Sequence, residues 1–279
     1  MTSTTHIRRF SGLERVFHLF LMVTFLIQSI TGFSRVYITT DFGRLLTKMV
    51  GGYDAALILH KWTGLLMITG FLLHTAYLIT LILPMKEKGF IKSLLGPDSL
   101  IPNLEDGKNL WQQILWSLGM GPAPQFERWT YLEKFDYWAV YWGMPLLAVT
   151  GLMAMFPLVT SSLLPGWALN IAVFVHRAEA VLATGYIFIV HFFMGHLRPT
   201  SFPMNEAMFS GSLPLEKALE EHPGWVERLK KEGKFERLQT GPPEKWYRAL
   251  YYIFGYTALS VGIYLLVNGI IYSRSISLH

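Results

Sequence analysis

The apolar positions of this chain gather into five long stretches, each broken by few charges. They run from Val16 to Phe33, Ala55 to Leu83, Tyr137 to Phe156, Ala168 to Gly195 and Ala249 to Tyr272. A helix that crosses a bilayer needs about 20 mostly apolar residues, and each stretch approaches or exceeds that length. Pro84 stops the second, Pro157 stops the third, and Pro199 lies just beyond the fourth. Proline removes a backbone donor and clashes with the turn before it. The pattern predicts an all-α integral membrane protein. The first stretch does not read as a signal peptide, because it lacks a small-residue cleavage site and carries His18 and Gln28.

Composition agrees with the pattern. Of 279 residues, 52% are hydrophobic and 15% are charged, against about 25% charged in an average soluble domain. Mean hydropathy is +0.34. These values exclude an ordinary soluble enzyme, a disordered chain and a nucleic-acid module. The net charge of +5 follows membrane sidedness. Arg8, Arg9 and Arg15 precede the first span. Lys86, Lys88, Lys92, Lys108, Arg128 and Lys134 lie in or near the second-to-third connection. Arg198, Lys217, Arg228, Lys230, Lys231, Lys234, Arg237, Lys245 and Arg248 lie between the fourth and fifth spans. The opposite side carries only Arg35, Arg44, Lys48 and Arg274. Basic loops stay in the cytoplasm. The expectation is therefore a multi-pass protein of the inner (cytoplasmic) membrane, with its N-terminus in the cytoplasm and its C-terminus outside.

The connections differ in character. Residues 86–133 are rich in Gly and Pro and read as loop with a short helix around Leu110–Leu118. Residues 203–242 read as one or two amphipathic surface helices. The predicted organisation is a four-helix bundle over 1–200, a cytoplasmic amphipathic segment over 201–248, and a fifth span with a short outer tail over 249–279.

Candidate chemistry lies with histidine. The chain has no cysteine, which excludes disulfides, iron–sulfur clusters, thiolate metal sites and covalent CxxCH haem. His18 lies in the first span, His60 and His74 in the second, and His176, His191 and His196 in the fourth. An ionisable residue inside a span is costly and points to function. One such histidine reads most simply as a hydrogen-bonded helix contact; six over three helices do not. His60 and His74 are 14 residues apart, and His176 and His191 are 15 apart. At about 100° and 1.5 Å per residue, each pair returns to nearly one face, off by roughly 40° and 60°, and spans roughly 21–23 Å along the axis. Each helix thus offers an imidazole toward each membrane surface, which suits two stacked bis-histidine sites. Haem iron takes two axial ligands. Zinc, the competing metal, wants four ligands at one depth, commonly with cysteine. His196 fits the stripe poorly. Gly32, Gly64, Gly70, Gly151 and Gly185 would admit a flat ring, and also suit close helix packing.

At these residues the chain resembles the bacterial membrane cytochrome b subunits of formate dehydrogenase (the gamma subunit) and nickel–iron hydrogenase. The matching pieces are ERVFH (Glu14–His18), ILHKWTG (Ile58–Gly64), VTG (Val149–Gly151), the helix bearing His176 and His191, and EHPGWVERL (Glu221–Leu229). The resemblance covers about residues 10–235. It implies a four-helix bundle with two b haems, an outer one on His60 and His176 and an inner one on His18 and His191. It also implies a quinone, menaquinone or ubiquinone, near the cytoplasmic face, and a redox partner on the outer face. Three features depart from the family: His74, the fifth span, and the 14 and 15 spacings, which look like the cytochrome b of bc-type complexes. They leave His74 as a rival to His18 for His191, and leave open a third haem using His18, His74 and His196.

The resulting functional expectation is a membrane b-type cytochrome subunit of a respiratory complex. It passes electrons between the quinone pool and a multihaem cytochrome c or a catalytic oxidoreductase subunit. TYLEKFDYW (Thr130–Trp138) opens the third span with Glu133, Lys134 and Asp136, either as proton exchangers for quinone or as interfacial anchors. His196 and Arg198 would complete that site or hold haem propionates. Arg15 and Arg177 would pair with propionates, since arginine binds carboxylates well. The rival function is a histidine-relay transporter without haem, although neither inverted repeats nor broken helices are visible. Every candidate ligand precedes the fifth span, so that helix is expected to contact a partner subunit.

Overall fold

The computed structural model describes residues 5–82 and 94–275; Leu83, Pro84, Lys86, Lys88, Lys92 and His279 lie outside them. The chain opens with β1 (His6–Arg8), α1 (Gly12–Val36), α2 (Asp41–Met49) and α3 (Tyr53–Ile82). It continues with α4 (Leu104–Ser117), α5 (Tyr131–Met155), α6 (Pro157–Leu163) and α7 (Gly166–Tyr186). Then come α8 (Ala207–Ser210), β2 (Ser212–Pro214), α9 (Leu215–Glu221), α10 (Pro223–Lys231), α11 (Phe235–Leu238), β3 (Gln239–Thr240) and α12 (Lys245–Ile271).

Among the described residues, five helices are long and apolar enough to cross a membrane: α1, α3, α5, α7 with its continuation to Leu197, and α12. The protein is a multi-pass membrane protein whose spans are all helical. All five helices begin earlier than their apolar stretches, and two of them do so through the same device. Thr130 Oγ1 accepts from the Glu133 amide at 3.2 Å, and a Glu133 carboxylate oxygen accepts from the Thr130 amide at 3.0 Å. Ser11 and Glu14 make the same reciprocal pair at the start of α1. Such capping boxes satisfy orphan amides at a helix start. They place the start of α5 at Tyr131 rather than Tyr137. The short helix expected around Leu110–Leu118 is α4, begun by Asn103 in a capping box with Asp106.

The chain packs as two units. One comprises Met1–Arg15, His74–Val140 and Asn205–Arg248. Its sheet has strand order β2-β1-β3, antiparallel throughout, with Ile7 paired to Leu213 and Gln239. Below the sheet lies a core of Ile7, Phe10, Leu213, Trp225, Val226, Leu229 and Phe235. The segment predicted as one or two surface helices is thus four short helices and two strands, whose apolar side chains close over their own core. Ion pairs tie the unit together. Buried Arg9 meets both oxygens of Glu133, at 2.9 and 3.0 Å. Arg228 grips Asp98 through two nitrogens and Glu127 through a third. Burial opposes the Arg228 charge, but these carboxylates override it and raise its pKa. An even number of crossings separates the segments before α1, between α3 and α5, and after α7. They therefore emerge on one side of the membrane, which is what their mutual packing requires.

The other unit comprises Val16–Leu73, Tyr141–Met204 and Ala249–His279. Its core includes Phe33, Tyr37, Phe42, Leu46, Phe188, Phe192 and Leu265. On α12, buried Gly255, Ala258, Gly262 and Leu265 form one stripe. Small residues at such spacing let membrane helices approach closely. A Cβ at Gly262 would stand 2.5 Å from the Phe192 ring and 2.7 Å from the Phe188 ring.

Candidate functional site

The second unit brings four histidines together as two pairs. His60, on the first third of α3, faces His176 on α7 with ring centroids 6.3 Å apart. Thr31 of α1 lies 2.9 Å from His60 Nδ1. The same threonine hydroxyl donates its single proton to the Ile27 carbonyl at 2.7 Å, as mid-helix threonines often do. It therefore accepts from Nδ1–H. The opposite histidine repeats this arrangement. Thr150 of α5 lies 3.1 Å from His176 Nδ1 and donates to the Leu146 carbonyl at 2.7 Å. Both rings thus carry the proton on Nδ1 and leave the Nε2 lone pair for a metal. Gln28 adds a third tie, donating its amide to the His60 carbonyl at 2.9 Å.

The second pair is His18, near the start of α1, and His191, with centroids again 6.3 Å apart. His191 does not sit on regular α-helix. After Tyr186 the backbone runs through two π-turns, Ile187–His191 and Phe193–Leu197. Such turns are rare and concentrate at functional sites. Phe188, within the first turn, and Phe192, between the two turns, bury against the core. Thr31, beside His60, is 13 residues beyond His18 on α1, a rise of about 20 Å. The two pairs are stacked along the helices, at separate depths.

Both separations suit a bis-histidine haem. Two metal–nitrogen bonds of about 2 Å each, with about 1 Å more from nitrogen to centroid in each ring, put the centroids roughly 6 Å apart. Glycine keeps the space beside the rings open. A Cβ at Gly32 would stand 3.6 Å from His60 Cε1, and one at Gly151 would stand 3.0 Å from His176 Cε1. Among the described residues, no group of three or more His, Asp or Glu side chains converges as a protein-only metal cage. Two imidazoles per centre suit a metal whose macrocycle supplies the remaining ligands.

The other sequence-predicted residues fall elsewhere. His74 Nε2 lies 3.1 Å from the Tyr137 hydroxyl. Glu133 holds Arg9, and Lys134, buried, holds Asp106 at 2.9 Å. Asp136 is half-buried on α5. Arg15 donates to the Phe209 carbonyl and to the Tyr247 hydroxyl, both at 2.8 Å. Arg177 follows His176 on α7. His196 stacks edge-on with Phe192, centroids 5.6 Å apart. Arg198 reaches the Ser201 hydroxyl at 3.4 Å.

Thr31 and Thr150, which bond the His60 and His176 rings, and Glu179, on the same helix as His176, were not singled out from sequence. Glu179 lies three residues beyond His176, and a Cβ at Gly143 would stand 3.2 Å from its Oε1. A carboxylate within an apolar span is the signal that would have found it. The threonines give no such signal, because each matters only through a ring on another helix.

None of the curated proteins compared with this chain matches it. The sequence profile of the prokaryotic cytochrome b561 family matches residues 9–211, which include both histidine pairs and four of the five spans. The chain belongs to the prokaryotic cytochrome b561 family of membrane electron-transfer proteins that bind b-type haem.

Proposed function

We propose that this cytochrome is the dihaem membrane subunit of a respiratory complex in the inner membrane, linking the quinone pool to a redox partner on the outer face. The observation that carries this reading is the pair of bis-histidine sites with equal ring separations, stacked along the spans. His60 and His176 hold the outer haem, and His18 and His191 hold the inner one. A bound b haem supplies one-electron exchange at its iron. The protein supplies the axial nitrogens, the spacing and the apolar surround. Arg15, Arg177 and Arg198 are the candidate propionate partners; Arg15 also donates to the Phe209 carbonyl and the Tyr247 hydroxyl. His196, five residues beyond His191, remains a candidate to hold a propionate or meet the quinone.

The quinone, menaquinone or ubiquinone, reacts at the cytoplasmic end. Its oxidation or reduction moves protons, which need a titratable group near water. Asp136, Glu133 and Lys134 are the candidates for that group; Glu133 pairs with Arg9 and Lys134 with Asp106. The outer partner is a multihaem cytochrome c or a catalytic oxidoreductase subunit. This chain has no cysteine with which to bind a c-type haem or an iron–sulfur cluster itself.

The test is a pyridine haemochrome count with a redox titration, followed by quinol-driven haem reduction in proteoliposomes. Two b haems per chain and reduction by quinol are expected, with Asp136→Asn slowing reduction while the haem spectra stay intact. One or three haems, or no response to quinol, would overturn the reading.

A further inference from the structure

The His60 and His176 rings are held by the same device on two different helices. On α1 it is Thr31 followed by Gly32; on α5 it is Thr150 followed by Gly151. Each threonine hydroxyl sits within 3.1 Å of the facing Nδ1. Each hydroxyl proton is already committed to the carbonyl four residues back. Each following glycine leaves the ring edge its space. We infer that Thr31 and Thr150 are a matched pair of positioning residues that fix the tautomer and rotation of both axial imidazoles at this centre and lower its reduction potential. The inference rests on the proposal that His60 and His176 hold a haem.

The physical argument has two parts. An imidazole whose Nδ1–H donates to an acceptor is a more basic ligand at Nε2, and its ring is locked in rotation. A more basic axial ligand favours the ferric state. Two such ligands on one iron act in the same sense. A threonine whose proton is committed to its own helix can only accept from the ring. Free rotation of the hydroxyl is therefore removed as a source of variation.

Valine keeps the shape of threonine and removes the acceptor. Thr31→Val, in the full chain, is expected to favour the ferrous state of this centre by roughly tenfold, an upward shift of about 59 mV for one electron; Thr150→Val shifts it in the same direction by less, because the Leu147 carbonyl also bonds the His176 ring. The double variant shifts it further. The low-spin EPR signal of this centre changes with ring rotation. Thr31→Ser and Thr150→Ser keep the hydroxyl and retain the native potential. The second haem does not move in any of them. Where a valine variant sheds its haem, retention by the matching serine variant supports the inference, and loss in both overturns it. Unchanged potentials and EPR signals in valine variants that retain both haems also overturn it. The underlying reading fails separately, and on different proteins. It fails if the native chain binds no haem, or if His60→Ala and His176→Ala keep both haems.

Discussion

His18 and His191 stand with ring centroids 6.3 Å apart, the same separation as His60 and His176. His74 instead bonds the Tyr137 hydroxyl at 3.1 Å. Replacing His18 or His191 with Ala is therefore expected to remove one b haem and leave the other. His74→Phe is expected to keep both. Haem-to-protein ratios of the purified variants decide the matter, and loss of a haem in His74→Phe would reassign the inner ligand.

The fifth span reaches the segment that carries His191. Gly262 of α12 abuts the rings of Phe188 and Phe192, one on each side of that histidine in sequence. Gly262→Leu would drive a side chain into both rings. Overpacking of this kind costs about 1–3 kcal/mol. The expected result is partial loss of the His18–His191 haem and an unchanged His60–His176 signal in EPR. Equal loss of both signals would point to general unfolding instead.

The two glycines beside the His60–His176 centre should tolerate a methyl group differently. Gly151→Ala places a Cβ 3.0 Å from His176 Cε1, whereas Gly32→Ala has 3.6 Å at His60. The former is expected to change the EPR signal or potential of the centre, and the latter to leave both close to native.

Glu133 and Asp136 are adjacent in function on one reading and separate on another. Glu133→Gln weakens the pair with buried Arg9, and hydrogen bonds to charged groups are worth about 1.5–3 kcal/mol. Tryptophan fluorescence during heating, which reports Trp129 and Trp225 in this unit, should register an earlier transition. Asp136→Asn should leave that transition in place and slow only the quinone reaction. A normal melting curve for Glu133→Gln would remove the structural role.

The spans were legible because lipid demands long apolar helices, and that demand is written in composition alone. The histidine pairing was only partly legible. Angular arithmetic at 100° per residue assumes α-helix throughout, and the π-turns from Ile187 advance the chain by a different angle. Spacing alone therefore made His74 look as good a partner for His191 as His18. The β2-β1-β3 sheet left no readable trace, because strands of two or three residues cannot show an alternating pattern. The helix starts at Gly12 and Tyr131 are polar, so hydropathy placed them too late. Thr31 and Thr150 read as ordinary helical residues, since nothing local marks a hydroxyl that serves a ring on another helix.

The central position of β1 has a consequence for biosynthesis. His6–Arg8 is synthesised long before its partners, Ser212–Pro214 and Gln239–Thr240. At about 5–20 residues per second, the first strand waits roughly 10–40 s for the second. Four spans are translated in that interval. The sheet cannot close until the spans that bear all four paired histidines have been made. Closure of β1 between β2 and β3 is thus a late step in folding, and a chain that stalls before the fourth span has no β2 or β3 for that strand to pair with.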